Sequence, residues 1–206
     1  DSAYESAISL YNKGINVEAI IDIREQSESK IVKKVKEAGI KIYWSHSIVD
    51  TTGYKRLNSI SIMKLSNDGT SVTGSKISIS CDCLGVAGGW TPAVHLYTQS
   101  GNKLKFDEEK KVFLPNQNTS EQISVGSCGG DFKIDEIIKN LNQKLKDNLN
   151  INETDLDSIK VEIDQENSKR NIWLLPSDKP LGKTKPFVDY QNDATAKDIK
   201  LSLIHI

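Results

Sequence analysis

The run VEAIIDI at residues 17–23 is almost continuously apolar, broken only by Glu18 and Asp22. A run of that kind reads as a strand buried on both faces, the environment of a parallel sheet covered by helices. Its neighbours agree. Upstream, Ala3, Ala7, Leu10 and Tyr11 recur at helical spacing behind a Ser2/Glu5 capping box, and Gly14 stops the run. Downstream, Ile31, Val32, Val35 and Ala38 share one helical face as far as Gly39, and IKIYW at residues 40–44 is a second strand. Residues 1–44 therefore alternate helix, strand, helix, strand, as a doubly wound parallel sheet does.

From Tyr54 the period changes. Ile60 and Ile62 alternate with polar residues, Asn67, Asp68 and Gly69 make a turn, and Ile77 and Ile79 alternate again, which predicts an antiparallel hairpin. The stretch ISISCDCLGVAGG at residues 77–89 reads as strand throughout. After a polar segment comes the small-residue cluster SVGSCGG at residues 124–130. A helix then carries Ile134, Ile137, Ile138, Leu141, Leu145 and Leu149 on one stripe. Residues 150–171 are polar and acidic and read as an exposed connection. The pieces IWLLP (172–176) and KPFVDYQND (185–193) have no period long enough to classify.

Composition narrows the chemistry. With 27 basic and 28 acidic residues the formal charge is −1, so no concentrated basic surface invites nucleic acid or an anionic membrane. No apolar run approaches the roughly 20 residues that span a bilayer. Nor does the start, DSAYESAISLYNKG, have the basic and apolar regions of a signal peptide; a chain opening on a helix cap without Met is expected to be a fragment. Three cysteines at 81, 83 and 128 form no disulfide framework, so a reducing cytoplasmic location is expected. Their spacing does not supply a metal set either, and Cys81 and Cys83 read as small buried thiols on one strand face. His95 could act as a base, but no nucleophile motif accompanies it. No catalytic residue is assigned.

What remains is nucleotide chemistry. In a dinucleotide-binding unit the acid that ends the second strand accepts hydrogen bonds from the adenosine ribose, about 20 residues past a glycine fingerprint. Asp22 sits where that acid would be, although the fingerprint itself is not in the chain; the plain alternative is that Asp22 ends a strand and caps the next turn. Gly88, Gly89 and Trp90, in GGWTP, follow an apolar strand and permit the close approach of a flat ligand or another backbone. A glycine turn opening into a helix, as at Gly126 and Ser127, offers backbone N–H groups to a phosphate; equally, its glycines let a loop pack tightly.

These residues carry a resemblance. The passage CDCLGVAGGWTPAVHLYTQSGNKLKFDEEKKVFLP resembles a segment of the alpha subunit of heterotetrameric sarcosine oxidases. DSAYESAISLYNKGINVEAIIDIRE and KPFVDYQNDATAKDIKL resemble segments of the same family in the same order. The resemblance frames nearly the whole chain and is weakest over residues 150–171. It implies an internal piece of a longer subunit of the type with two dinucleotide-binding domains. NAD would be the cofactor of this subunit, with FAD, FMN and tetrahydrofolate elsewhere in a complex with beta, gamma and delta subunits. The implied reaction takes sarcosine, oxygen and tetrahydrofolate to glycine, hydrogen peroxide and methylenetetrahydrofolate.

On that mapping the fold class is α/β: an incomplete doubly wound, Rossmann-like domain with an antiparallel hairpin, joined to the returning half of a second dinucleotide-binding module. Residues 1–80 form the first and 81–149 the second. Residues 150–171 are a polar linker, and 172–206 lead toward an aminomethyltransferase-like domain. Asp22, Gly88, Gly89, Trp90, Gly126 and Ser127 are the expected cofactor contacts. Ser127 departs from the pattern, because flavoproteins place an acid there that meets the flavin's ribityl and pyrophosphate. This argues against ordinary FAD binding and is compatible with NAD. The family pattern fades after Leu201, and SLIHI is expected to continue no helix begun earlier and to mark a truncation or a cloning artefact. Two other readings stay open: a scaffold whose nucleotide folds are relics, and a subunit of a related amine or amino-acid dehydrogenase.

Overall fold

Glycine turns the chain out of both helices that lead into the parallel strands. Helix α1, Ser2–Asn12, and helix α2, Lys30–Glu37, are each followed by a left-handed glycine, Gly14 at φ 80° and Gly39 at φ 75°. The Gly14 and Ile15 amides donate back to the Tyr11 and Leu10 carbonyls at 2.9 and 3.1 Å. Gly39 and Ile40 do the same to Lys36 and Val35 at 3.0 and 3.2 Å. These closures satisfy the orphaned carbonyls of each last turn and direct the chain into β1, Ala19–Asp22, and β2, Lys41–Trp44. The structure, a computed structural model, describes residues 1–116, 122–149, 159, 170–189 and 191–204. These divide into two units, Asp1–Ala87 with Gln165–Ile206, and Gly88–Asp164.

In the first unit β1 and β2 pair in parallel, from Ala19 opposite Lys41 to Asp22 opposite Trp44. The fold is α/β, as expected, with α2 crossing between parallel strands and an antiparallel sheet following. Tyr4, Ala7, Ile20, Val32, Val35 and Ile40 form the core cluster. The predicted face of α2 is the observed one, since Val32 and Val35 are fully buried and Ile31 and Ala38 pack beside them. Three details of the expectation are corrected. Helix α1 buries Tyr4 and Ala7, while Leu10 and Tyr11 are 45% and 46% exposed. The helix is rotated so that the Tyr4 ring enters the core. Its N-cap is Asp1, whose carbonyl accepts from the Tyr4 and Glu5 amides at 2.9 and 3.2 Å, so Ser2 is inside the helix and makes no side-chain cap. Strand β1 is not buried on both faces: Ile20 and Asp22 are buried and Ala19 and Ile21 only half so, because the core cluster takes the Ile20 face.

Strands β3 (His46–Gly53), β4 (Leu57–Leu65) and β5 (Val72–Ser80) make an antiparallel sheet in that order. The β4–β5 hairpin is the expected one, with Ile60 opposite Ile79 and Ile62 opposite Ile77. Its turn is held by Asp68, which accepts from the Ser66 and Thr70 hydroxyls at 2.6 and 2.8 Å. Those bonds hold the Asp68 carboxyl down at about 2. Strand β3 was not legible in the sequence because Asp50, Thr51 and Thr52 hide its alternation. Later residues are tied to this sheet. Arg170 donates to the Ile23 and Asn67 carbonyls at 3.1 and 2.5 Å, and Lys179 pairs with Asp50 at 2.6 Å. Strands β8 (Phe187–Asp189) and β9 (Ala194–Thr195) pair ahead of helix α5, Ala196–Ile204. A capping box starts α5: the Thr195 amide donates to Asp198 at 3.0 Å and the Asp198 amide to the Thr195 hydroxyl at 3.4 Å. Ser202, Leu203 and Ile204 therefore do continue a helix, against expectation.

The second unit carries α3 (His95–Gln99), a hairpin of β6 (Leu104–Asp107) and β7 (Val112–Pro115), a 3-10 turn at Gly126–Gly129, and α4 (Ile134–Leu149). The hairpin lies in the segment read only as polar. Asp107 builds its turn by accepting from the Glu109 and Lys110 amides at 3.1 and 2.7 Å, and Val112 and Leu114 face inward. The expected helix is present, with Ile137, Ile138, Leu141 and Leu145 half-buried and Ile134 64% exposed. The polar connection expected at 150–171 lies almost entirely outside the described residues.

Candidate functional site

Asp22 closes β1, and the side chains around it come from three elements. Parallel pairing sets it opposite Trp44 on β2, Tyr4 arrives from the first turn of α1, and Arg24 stands two residues further along the chain. Tyr4 is 1% exposed and stacks on Trp44 with ring centroids 6.1 Å apart; Asp22 is 7% exposed. The Tyr4 hydroxyl donates to Asp22 Oδ2 at 2.7 Å. Arg24 donates to the same carboxylate from its amide at 2.8 Å, from Nε at 3.1 and 3.2 Å, and from Nη2 at 2.9 Å. Its Nη1 reaches Asp1 Oδ1 at 3.1 Å, and the guanidinium carbon lies 5.9 Å from the Tyr4 ring centre.

The electrostatics follow from these distances. Burial alone would raise the Asp22 carboxyl, but the Arg24 and Tyr4 hydrogen bonds and the Arg24 charge outweigh it and hold the group below its ordinary 3.8. Burial, and then the bond to Asp22, pushes the Tyr4 phenol well above its ordinary 10.0. Asp22 is thus a charged, enclosed acceptor, and neither it nor Tyr4 is poised to exchange a proton near neutrality. Sequence reading singled out Asp22 but missed Tyr4 and Arg24. A signal for Arg24 was available: it is one of only three arginines in a chain rich in lysine.

Gly88, Gly89 and Trp90 are placed differently. Strand β5 ends at Ser80, and residues 81–94 have no regular secondary structure, which corrects the expected strand. A strand needs a partner for its backbone groups, and past the Cys81 amide, which donates to the Asn58 carbonyl at 3.1 Å, this stretch joins no sheet among the described residues. Trp90 is 73% exposed, Gly89 has φ 97°, and a Cβ on Gly88 would meet open space. Cys83 is exposed and Cys81 half-buried, so the pair is not the buried strand filler expected. Burial and the neighbouring Asp82 push the Cys81 thiol up, away from a reactive thiolate. His95 is exposed at the start of α3.

Gly126 and Ser127 lie in the 3-10 turn, Gly126 at φ 64° and Ser127 exposed. This turn does not open directly into a helix, since α4 starts at Ile134. The Gly130 and Asp131 amides are spent on the Ser127 and Gly126 carbonyls at 3.1 and 3.0 Å. A Cβ on Gly130 would come within 2.5 Å of Leu114 Cδ2, and one on Gly129 within 3.1 Å of the Ser124 carbonyl. Gly129 and Gly130 thus serve tight packing, and Gly126 its left-handed backbone. Lys110 and Lys144 tether the same turn through the Gly130 and Ser124 carbonyls at 2.8 and 2.5 Å. No hydrogen bond among the described residues links this turn to Gly88, Gly89 or Trp90. Among the described residues no group of three His, Cys, Asp or Glu could hold a metal, and no helix is long and apolar enough to cross a membrane.

The parallel strand–helix–strand unit, with an acid at the carboxyl end of its first strand, makes this an α/β fold. No protein-family model matches the chain. It is 27% identical over 223 residues to the sarcosine oxidase subunit alpha of Corynebacterium sp. (strain P-1), covering 97% of this chain and 21% of that protein. To the subunit of the same name from Rhizobium meliloti (strain 1021) it is 26% identical over 221 residues, covering 98% and 19%. The resemblance read from the motifs is borne out by these relatives, and the chain spans about a fifth of their length. Among solved structures, the thioredoxin reductase of T. acidophilum aligns with a TM-score of 0.42 and 16% identity, over 60% of this chain and 40% of that one.

Proposed function

We propose that this chain is a dinucleotide-binding region of an oxidoreductase polypeptide of the sarcosine oxidase alpha type. The observation that carries this reading is the similarity along 97% of the chain to proteins of that name. The Asp22 cluster, at the carboxyl end of a parallel strand, supports it on physical grounds. NAD is the proposed cofactor of this region. Gly88, Gly89 and Trp90 would lie against the dinucleotide where the backbone leaves space for it. Gly126 and Ser127 would approach its phosphates, although the neighbouring amides of Gly130 and Asp131 are already engaged. NAD, when bound, would supply hydride-accepting chemistry; the residues of this chain would bind and orient it.

The larger assembly belongs to the same proposal. FAD, FMN and tetrahydrofolate would be held elsewhere in a cytoplasmic complex with beta, gamma and delta subunits. That complex would oxidise sarcosine to glycine, with hydrogen peroxide and methylenetetrahydrofolate as the other products. Residues 1–80, 81–149, 150–171 and 172–206 would serve respectively as nucleotide-type domain, returning module, linker and connection to the folate domain. A second reading, a scaffold with relic nucleotide folds, is favoured by the packing of the Gly126–Gly129 turn, whose glycines are accounted for without any ligand. Acid extraction of the folded full-length polypeptide separates the two. NAD should be released in near-stoichiometric amount, and a nucleotide-free extract would leave the scaffold. The chain by itself should form no peroxide from sarcosine; measurable formation would overturn the proposed division of labour.

A further inference from the structure

Strand β3 is an edge of its antiparallel sheet, and the chain from Pro176 onward is fastened beside it. The Ser47 hydroxyl donates to the Pro176 carbonyl at 3.4 Å, and Lys179 donates to Asp50 at 2.6 Å. Lys76 on β5 braces the same contact, 2.8 Å from Asp178 and 4.0 Å from Asp50. Between strand and segment lies an open cleft of about 330 Å³, at the small end of ligand pockets. Ile48–Thr51 line one side of it, and Lys179, Lys183, Thr184 and Lys185 the other. The Lys179 bond holds the Asp50 carboxyl below its ordinary 3.8, so Asp50 with Lys179 and Asp178 with Lys76 are two ionised pairs at neutrality. The side chains of Lys183 and Lys185 are exposed and make no hydrogen bond or ion pair among the described residues. Thr184 between them is extended, at φ −114° and ψ 159°, which sends both lysines to one side. Four ammonium groups thus meet two carboxylates, and the cleft keeps a net charge of +2 on Lys183 and Lys185.

We propose that this cleft binds a phosphoryl dianion, with Lys183 and Lys185 as its charge partners and the Thr51 hydroxyl as a neutral donor on the facing strand. A phosphate monoester carries about −1.5 to −2 near neutrality and three acceptor oxygens, so it matches both ammonium groups; a carboxylate, with a single charge, leaves one of them uncompensated. Lysine suits a phosphoryl group as a point charge, and the lining holds no arginine, the side chain whose planar fork fits a carboxylate. Ile48 adds an apolar wall against which the organic part of an ester can lie. The Asp50 and Asp178 pairs are the brace that keeps the two sides of the cleft in place. None of the lining residues belongs to the Asp22 cluster, and NAD contains no phosphate monoester, so this site stands apart from the dinucleotide reading above.

The test is titration of the full-length polypeptide with inorganic phosphate and with phenyl phosphate, followed by phosphorus NMR and calorimetry. Both probes should bind saturably with Kd below about 10 mM. Tighter binding of phenyl phosphate supports the site and assigns it to an ester of a small molecule; equal binding supports it and assigns it to free phosphate. Lys183→Ala and Lys185→Ala, both exposed changes that spare the core, should each weaken binding about fivefold and together about twentyfold. Lys183→Arg and Lys185→Arg keep the charge and should stay within a few-fold of the unaltered protein. Lys13→Ala, at an exposed lysine just past α1, should change nothing. No saturable binding of either probe, or binding unmoved by the double alanine substitution, overturns the proposal. So does an equal loss in Lys13→Ala, which would reduce the effect to non-specific attraction, or displacement of phenyl phosphate by NAD, which would return the cleft to the dinucleotide.

Discussion

Asp22 with its neighbours and the stretch around Gly88 raise one expectation, contact with a dinucleotide, and the structure treats them in opposite ways. The Asp22 cluster is enclosed, fully hydrogen-bonded and ionised, so its geometry is set before any ligand arrives. Residues 88–90 are exposed, and a Cβ on Gly88 would meet open space. The turn at Gly126–Gly130 is a third case, in which the same residue type is demanded by left-handed backbone at Gly126 and Gly130 and by close packing at Gly129 and Gly130. Glycines in a motif are therefore not equivalent. Gly130 is required by Leu114, whereas Gly88 has no such requirement and would be explained by a ligand or another backbone.

Substitutions can break or sharpen that contrast. The largest effect is expected at Ile62, fully buried on β4, where Ile62→Ala should cost about 3 kcal/mol in urea unfolding. Val86→Ala, at a side chain 80% exposed, should cost almost nothing. Gly130→Ala comes next, at roughly 2 kcal/mol, from a left-handed backbone at φ 88° and a clash with Leu114. Gly88→Ala should stay within about 0.5 kcal/mol. Equal losses at the two glycines would erase the distinction between packing and ligand space.

Tyr4→Phe should cost about 1.5 kcal/mol by removing the hydroxyl from a buried carboxylate. Its effect depends on pH. The Asp22 pKa is depressed in the folded state, so its stabilisation is present above 3.8 and is lost as the pH falls through the lower folded value. The Tyr4 pKa is raised, so the matching contribution is present below 10.0 and disappears at higher pH. Unfolding scans should show both slopes in the unaltered protein. Tyr4→Phe should flatten the acid one and abolish the alkaline one; unchanged slopes would mean that the cluster does not govern them. The smallest effect is local. Asp68 should titrate at about 2 by NMR, and a midpoint at 3.8 would show that its turn bonds do not persist in solution.

The legible parts of the fold were those in which local chemistry and burial agree. Gly14 and Gly39 ended their helices as expected because the left-handed closure is a property of the glycine itself. Ile60 and Ile62 revealed their hairpin because a period of two survives wherever one face is buried. Strands β3 and β6–β7 were missed where polar residues occupy inward or half-inward positions, as at Ser47 and Asp107. The site divided in the same way. Asp22 could be singled out by its place at the end of an apolar run, but its partners could not, since Tyr4 and Trp44 lie at distances along the chain that only folding closes.

By itself the sequence determined the order of helix and strand, the turns that glycine and Asp-rich segments enforce, and the family that the motifs resemble. Those follow from interactions between residues near one another in the chain. Which face of α1 is buried, which glycines are packed tight, and where the Asp22 charge is spent were decided only in the tertiary structure. Each depends on a long-range neighbour: Trp44 for Tyr4, Leu114 for Gly130, and Tyr4 in α1 for Asp22.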